Sequence, residues 1–311
     1  MIIRNFSPYI KIITAMSLIG TFIALNKIAS AKMPIFLFSE LRLGIASLIF
    51  IFLLVKQEKS FSIPKKNDAK IFFIQALLGV FLFSIFLLYG TKFTSALESG
   101  LITSLTPAFV SIVSIFLLKE RLNINQTVGI VIALIGTIII NIFGATTNSS
   151  WSTSSLLGNF LILLAVFGES IFITFGKLVS KNHSPLETSA FVVIIGAVLF
   201  LPLAIKDALT YDFTSIDWKV LILVLYSAVI VTVVAVILMN QAVIELPGGS
   251  TAVFTAFMPI SAIVFAYFIL GEKIYWYHLI GATCVLLSIT LISLNPSKKK
   301  KDIEKPPLEG Y

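Results

Sequence analysis

Thr103–Gly129 reads T-S-L-T-P-A-F-V-S-I-V-S-I-F-L-L-K-E-R-L-N-I-N-Q-T-V-G, and Thr255–Gly281 reads T-A-F-M-P-I-S-A-I-V-F-A-Y-F-I-L-G-E-K-I-Y-W-Y-H-L-I-G. Thr103 and Thr255, Pro107 and Pro259, Glu120 and Glu272, and Gly129 and Gly281 are each 152 positions apart. In both copies an apolar run carries a proline, closes on a glutamate followed by a cation, and gives way to a second apolar run. Shared hydrophobicity alone does not hold four positions of unlike chemistry at one offset. The chain reads as a duplicated unit.

Composition says which solvent that unit inhabits. The 311 residues are 58% hydrophobic and 12% charged, with a mean hydropathy of +1.02. Soluble domains carry about 25% charged residues. A chain this apolar is suited to a bilayer. One cysteine, Cys284, excludes an intrachain disulfide and a cysteine metal cluster. The net charge of +8 lies in loops between apolar runs, so it reads as a topology signal and not as a nucleic-acid stripe. The first apolar run is span-length and lacks a small-residue cleavage site, so it is kept as a helix.

Ten runs approach the roughly 20 residues a span needs. They lie near 9–28, 34–55, 70–90, 96–118, 126–143, 156–178, 186–205, 218–241, 248–270 and 276–294. With the N-terminus in the cytoplasm, 16 of the 23 Lys and Arg fall on the cytoplasmic side and 6 outside, while Arg42 lies within a span. Both termini are therefore expected in the cytoplasm. Five spans is an odd number, so the second half must enter the membrane from the opposite side. The expected fold is an all-α integral membrane protein: ten transmembrane helices, forming two inverted five-helix repeats around a central cavity. Such symmetry offers two similar conformations, one open to each side, which is the basis of alternating access.

The motif L-T-P-A-F-V-S-I-V-S-I-F-L-L-K-E-R-L-N and its second copy F-M-P-I-S-A-I-V-F-A-Y-F-I-L-G-E-K-I resemble the EamA domain of the drug/metabolite transporter superfamily. So does E-L-R-L-G-I-A-S-L in the second span, where Arg42 falls on an arginine common in that family. The first span, L-I-G-T-F-I-A, lacks a tryptophan often found before its glycine. The resemblance covers 12–142 as repeat 1 and 157–294 as repeat 2, leaving 295–311 as a basic cytoplasmic tail. It implies an inner-membrane transporter of small metabolites, with amino-acid export first. Uptake of a cofactor or nucleotide-like metabolite, such as S-adenosylmethionine or a vitamin, is the alternative within the class. A lipid-linked sugar flippase accessory or a non-transporting membrane partner is the alternative outside it.

Several polar positions are candidates for a cavity or coupling role. Pro107 and Pro259 deprive the carbonyls of Thr103 and Thr255 of their helical partners. In a bilayer something must re-satisfy them: a hydroxyl, a neighbouring helix or cavity water. The competing readings are a bend lining a cavity and a packing kink. Glu40 and Arg42 lie 6 and 8 residues into the second span, and Arg42 is about 12 Å deep. Their side chains diverge by about 200° on a helix, so each needs another partner, and Glu169 in the sixth span is the expected one for Arg42. Arg42 could hold a substrate carboxylate, and Glu40 or Glu169 a coupling proton; a structural ion pair is the competing reading for both. Tyr89, with Lys92, Thr94, Ser95 and Glu98, and in the second half Asn240 with Gln241, mark either two cavity mouths or ordinary interfacial chemistry. Glu120–Arg121 and Glu272–Lys273 are expected to cap and pair at helix ends. Gly44 and Gly196, also 152 apart, are expected to allow close helix contact. Tyr275, Trp276 and Tyr277 form an expected aromatic belt.

Enzyme chemistry has thin support. His183 and His278 lie near span ends on opposite faces, and no G-x-x-x-x-G-K-[ST] phosphate loop is present. No cofactor is expected. The expected partners are the bilayer, a small-molecule substrate and a coupling proton.

Overall fold

In this computed structural model the described residues are 7–57, 64–118, 124–147, 153–179, 183–245, 254 and 257–294. Among them the regular structure is helical, with no strand. We label the helices α1 (Pro8–Lys32), α2 (Ile35–Gln57), α3 (Lys66–Phe93), α4 (Ala96–Thr103), α5 (Thr106–Leu118) and α6 (Ile124–Thr147) in the first half. In the second they are α7 (Thr153–Val179), α8 (Pro185–Thr210), α9 (Trp218–Glu245), α10 (Phe257–Leu270) and α11 (Trp276–Leu294). Among the described residues, six helices are long and apolar enough to cross a membrane: α1, α2, α3, α7, α8 and α9. A backbone that satisfies itself by helical bonds and faces outward with residues such as Leu48, Phe52, Phe160 and Val198 suits hydrocarbon and not water.

Local signals set the boundaries. Ser184 caps α8 in a capping box with Glu187, and Pro185 follows it at the first turn. Ser95 caps α4 by accepting from the Glu98 N–H at 2.9 Å. Gly271, at φ 66°, takes the left-handed conformation that closes α10, and the next N–H, of Glu272, reaches back to the Ala266 carbonyl at 3.2 Å. α3 and α9 start and stop 152 residues apart, and each carries a π-helical stretch, Leu77–Leu82 in one and Ser227–Ala235 in the other. The wider winding sends the Thr232 hydroxyl to the carbonyl of Ser227, five residues back, at 2.8 Å.

The proline expectation needs correction. Residues 96–118 are not one helix with a mid-length proline. The helix stops at Thr103, turns through Ser104 and Leu105, and restarts at Thr106, so Pro107 is the second residue of α5. A missing N–H costs nothing in a first turn, so the chain breaks ahead of the proline and does not bend at it. Pro259 is buried in α10; the residues just ahead of Phe257 lie outside the described ones, so the break ahead of a proline concerns Pro107 alone. Thr255, Glu120, Arg121 and the 295–311 tail lie outside the described residues.

Packing relates the halves. α2 lies against α8, with Phe36 near Phe200 (ring centroids 6.5 Å) and Leu43 beside Gly196, so the two run antiparallel. α6 lies against α11, with Phe143 on Trp276 (4.7 Å) and Gly136 against Gly281 and Cys284, again antiparallel. In both pairs a helix meets its own counterpart from the other half. One end of the bundle, here the near end, holds the α1–α2 connection. Lys32 meets Asp217 there (3.0 Å), Lys27 meets Glu272 (2.9 Å), and Thr94 meets Asn159 (2.6 Å). The far end holds Lys11 with Glu245 (2.7 Å) and His183 with Asp68 (3.3 Å). α1 therefore starts at the far end, whereas its counterpart α7 starts at the near end.

The glycine expectation holds at one position of two. A Cβ on Gly196 would sit 2.8 Å from Val80 Cγ1, so the close approach to α3 needs glycine there. A Cβ on Gly44 would meet only Glu40 Oε1, at an ordinary 3.6 Å. The aromatic belt is also incomplete. Trp276 is half exposed, but Tyr277 is buried and stacks on Tyr275 with centroids 5.5 Å apart.

Candidate functional site

Arg42 is buried on α2, yet its partners are not acidic. Nη1 donates to the Thr232 hydroxyl (3.1 Å) and Nη2 to the Ser84 hydroxyl (3.0 Å), while the guanidinium sits 4.8 Å from the centre of the Phe22 ring. Nε has no partner. The expected pair with Glu169 is not made. Ser84 follows the π stretch of α3 and Thr232 lies inside that of α9, so the two wide turns carry both hydroxyls to the arginine. Two neutral acceptors and one ring face stabilise a cation less than a carboxylate does. No carboxylate among the described residues neutralises the guanidinium.

Glu169 is buried on α7 and receives the Thr106 hydroxyl at 2.7 Å. The same hydroxyl lies 2.7 Å from the Thr103 carbonyl, the group whose helical partner Pro107 removes. A threonine hydroxyl does re-satisfy that carbonyl, and it belongs to Thr106. It has one hydrogen and two acceptors. With a protonated Glu169 the chain closes: carboxyl O–H to Thr106, Thr106 O–H to the Thr103 carbonyl. With the carboxylate, Thr106 turns to Glu169 and the carbonyl at the helix break goes without. Thr103 itself is buried, its hydroxyl spent on the Gly100 carbonyl (2.8 Å).

The other candidates separate. Glu40 is half-buried, with Oε2 unpartnered. Tyr89 is half-buried, its ring 6.4 Å from that of Phe36 toward the near end. Asn240 donates to the Ser189 hydroxyl (2.7 Å) and lines a cavity of about 10 Å³ at the far end, with Gly176, Pro185 and Thr188. That is room for one water and not for a metabolite. Gln241 keeps its Oε1 buried and unpartnered. Tyr89 and Gln241 are 152 apart and sit at opposite ends.

Glu272 does more than pair at a rim. Its Oε1 takes the Ala96 N–H (3.0 Å) and Oε2 the Leu97 N–H (2.8 Å), so a carboxylate from the second half caps α4 of the first. Lys27 joins it and also reaches the Thr94 carbonyl at 3.2 Å. Thr94, Glu98 and Asn159 continue the network, with Thr94 Oγ1 2.5 Å from Glu98 Oε2. Sequence reasoning gave Ser84, Thr232 and Asn159 no role, since a lone hydroxyl or amide in an apolar run has no spacing signature.

Buried charged side chains inside a bundle of span-length apolar helices mark a multi-pass membrane protein. The chain belongs to the EamA-like transporter family, whose model matches residues 6–142 and 156–294. It is a membrane transporter, with the bilayer and a small-molecule substrate as its partners. It is 37% identical over 309 residues to the uncharacterized transporter YetK of Bacillus subtilis, covering 98% of this chain and 92% of that one. Over 278 residues it is 28% identical to YoaV, an uncharacterized transporter of the same organism, covering 88% and 92%. A solved crystal structure aligns with a TM-score of 0.66 at 16% identity, over 93% of this chain and 96% of that one, and shares the fold.

Proposed function

We propose that this protein is an inner-membrane secondary transporter, working by alternating access on amino acids or related small metabolites, with export as the direction. Ten helices cross the membrane: α1, α2, α3, α4 with α5, and α6, then their counterparts in the second half. The halves are inverted repeats, and both termini are cytoplasmic. The observation that carries this reading is the antiparallel meeting of like with like, α2 on α8 and α6 on α11. A two-fold axis in the membrane plane produces that pattern, and the same axis makes an inward-open and an outward-open state nearly equivalent.

Arg42 holds the substrate's carboxylate through its Nε–H, which the protein leaves unpartnered. Opening of the packed core around Phe22 and Arg42 forms the central cavity during transport. Glu169 carries the coupling proton, because its protonation state decides which acceptor the Thr106 hydroxyl serves at the α4–α5 break. Counterflow of radiolabelled amino acids in proteoliposomes tests the reading. Uptake of at least one amino acid, accelerated by an imposed pH gradient, is expected; a protein inert to every amino acid loses the cargo assignment. Counterflow without a pH response removes the proton.

A further inference from the structure

One helical turn from Arg42, toward the near end, three polar side chains are fully buried and make no hydrogen bond. Asn26 on α1 is 0% exposed, with both Oδ1 and Nδ2 unpartnered; Ser39 on α2 and Ser227 on α9 are 0% exposed with unpartnered hydroxyls. Their level follows from the fold. Asn26 lies four residues beyond Phe22, the ring under Arg42, and so on the same face of α1, about 6 Å toward the α1–α2 connection. Ser39 lies three residues before Arg42 on α2, which runs the other way, and is displaced toward the same connection. Ser227 lies five residues before Thr232, toward the start of α9. That start is held at the near end by Lys32 with Asp217.

A buried amide with no partner costs several kcal/mol in a medium without water. Packing alone gives no reason to retain one, because leucine has the same branched skeleton of four side-chain heavy atoms without the polar groups. Three such groups at one level, on the faces that also enclose Arg42, form a set of donors and acceptors awaiting a ligand. All three are neutral, and each can accept a hydrogen bond.

We infer that Asn26, Ser39 and Ser227 form a subsite for the ammonium group of a zwitterionic α-amino acid whose carboxylate meets Arg42. The inference rests on the cargo reading above and extends it. An α-amino acid separates its two charges by only a few ångströms, which matches one helical turn spanned by side chains reaching inward from both levels. The amide oxygen and two hydroxyls solvate the ammonium without fixing a counter-charge there. The site therefore selects a molecule that brings both charges itself. A carboxylic acid without the amine leaves the amide and hydroxyls unpaired, and an amine without the carboxylate leaves Arg42 incomplete.

The test is the shift in melting temperature of the full-length protein in lipid nanodiscs on adding each common L-amino acid. The same titration is run with the deaminated acid and the decarboxylated amine of any amino acid that acts. Wild type is expected to be stabilised by an amino acid and by neither analogue. Asn26→Leu is expected to remain folded and to bind the amino acid at least about tenfold more weakly, the value of one charge-assisted hydrogen bond. A Ser39→Ala, Ser227→Ala double variant, which leaves α1 untouched, is expected to weaken binding in the same direction. Wild-type affinity in either variant overturns the subsite while leaving the cargo reading intact. Equal stabilisation by the deaminated acid does the same. If no amino acid shifts the wild type, both fail together.

Discussion

Arg42 and Glu169 are both buried mid-span, in helices of opposite halves, and a simple ledger of charges pairs them. They do not meet. Arg42 is held by two hydroxyls and a ring with its Nε–H buried and unpartnered, while Glu169 shares a single hydroxyl with the Thr103 carbonyl. A mutual ion pair would satisfy both and leave each with little to do. Kept apart, each is left with neutral partners in place of a counter-charge. Buried charges in a membrane protein are expensive, so incomplete satisfaction points to a partner that arrives later.

The contrast can be broken most sharply at Arg42. Arg42→Ala should lower counterflow about 100-fold, the equivalent of roughly 2.8 kcal/mol for a lost charge-assisted contact. Arg42→Lys should recover only part of it, because an ammonium cannot reach Thr232, Ser84 and an anion together. Counterflow at the wild-type rate in both variants would return Arg42 to a structural role. Glu169→Gln should behave differently. It keeps the hydrogen-bond chain by mimicking the protonated acid, so the protein should fold and catalyse exchange, while acceleration by a pH gradient disappears. Retention of that acceleration moves the proton elsewhere, with Glu40 next in line.

Two further substitutions sharpen the comparison by standing outside it. Glu272→Gln weakens a cap and an ion pair that join the halves at the near end, and should lower stability by about 1–2 kcal/mol, read as a lower melting temperature. Asp217→Asn is the smallest expected effect. The Lys219 N–H, and then Lys32, hold the Asp217 carboxyl below its ordinary range, but the group lies at the solvent-facing edge of the bundle. Its contribution is present above the usual aspartate range and fades as pH falls through the lowered value. At neutral pH the melting temperature of the variant should match wild type within error.

Much of this was legible before any coordinates. Span-length apolar runs and the 152-residue offset mark the helices, and α3 and α9 keep that offset to the residue. That Arg42 needs a buried setting was legible too, since it falls inside an apolar run, and it is buried. Azimuth was not. In helices apolar on every side, lipid and core ask for the same residues, so the pattern does not say which face turns inward. The two π stretches then rotate Ser84 and Thr232 onto Arg42, and no sequence period announces them. Pro107 marked the right region, but the break falls ahead of it, at Ser104 and Leu105, since a proline is cheaper in a first turn than in a helix interior. Asn26 drew no notice for a similar reason: one amide in an apolar run becomes informative only when its missing partners are visible.

The most direct measurement uses two positions that duplication makes equivalent. Lys65 and Asp217 are 152 apart, and each is the N-cap residue of its helix, α3 in one half and α9 in the other. Single cysteines placed there in a Cys284→Ser background can be probed in intact cells with a membrane-impermeant thiol reagent. Inverted halves predict that Asp217→Cys reacts from outside and Lys65→Cys only after the membrane is opened. Labelling of both from one side would contradict the inversion, and the alternating-access account would fall with it.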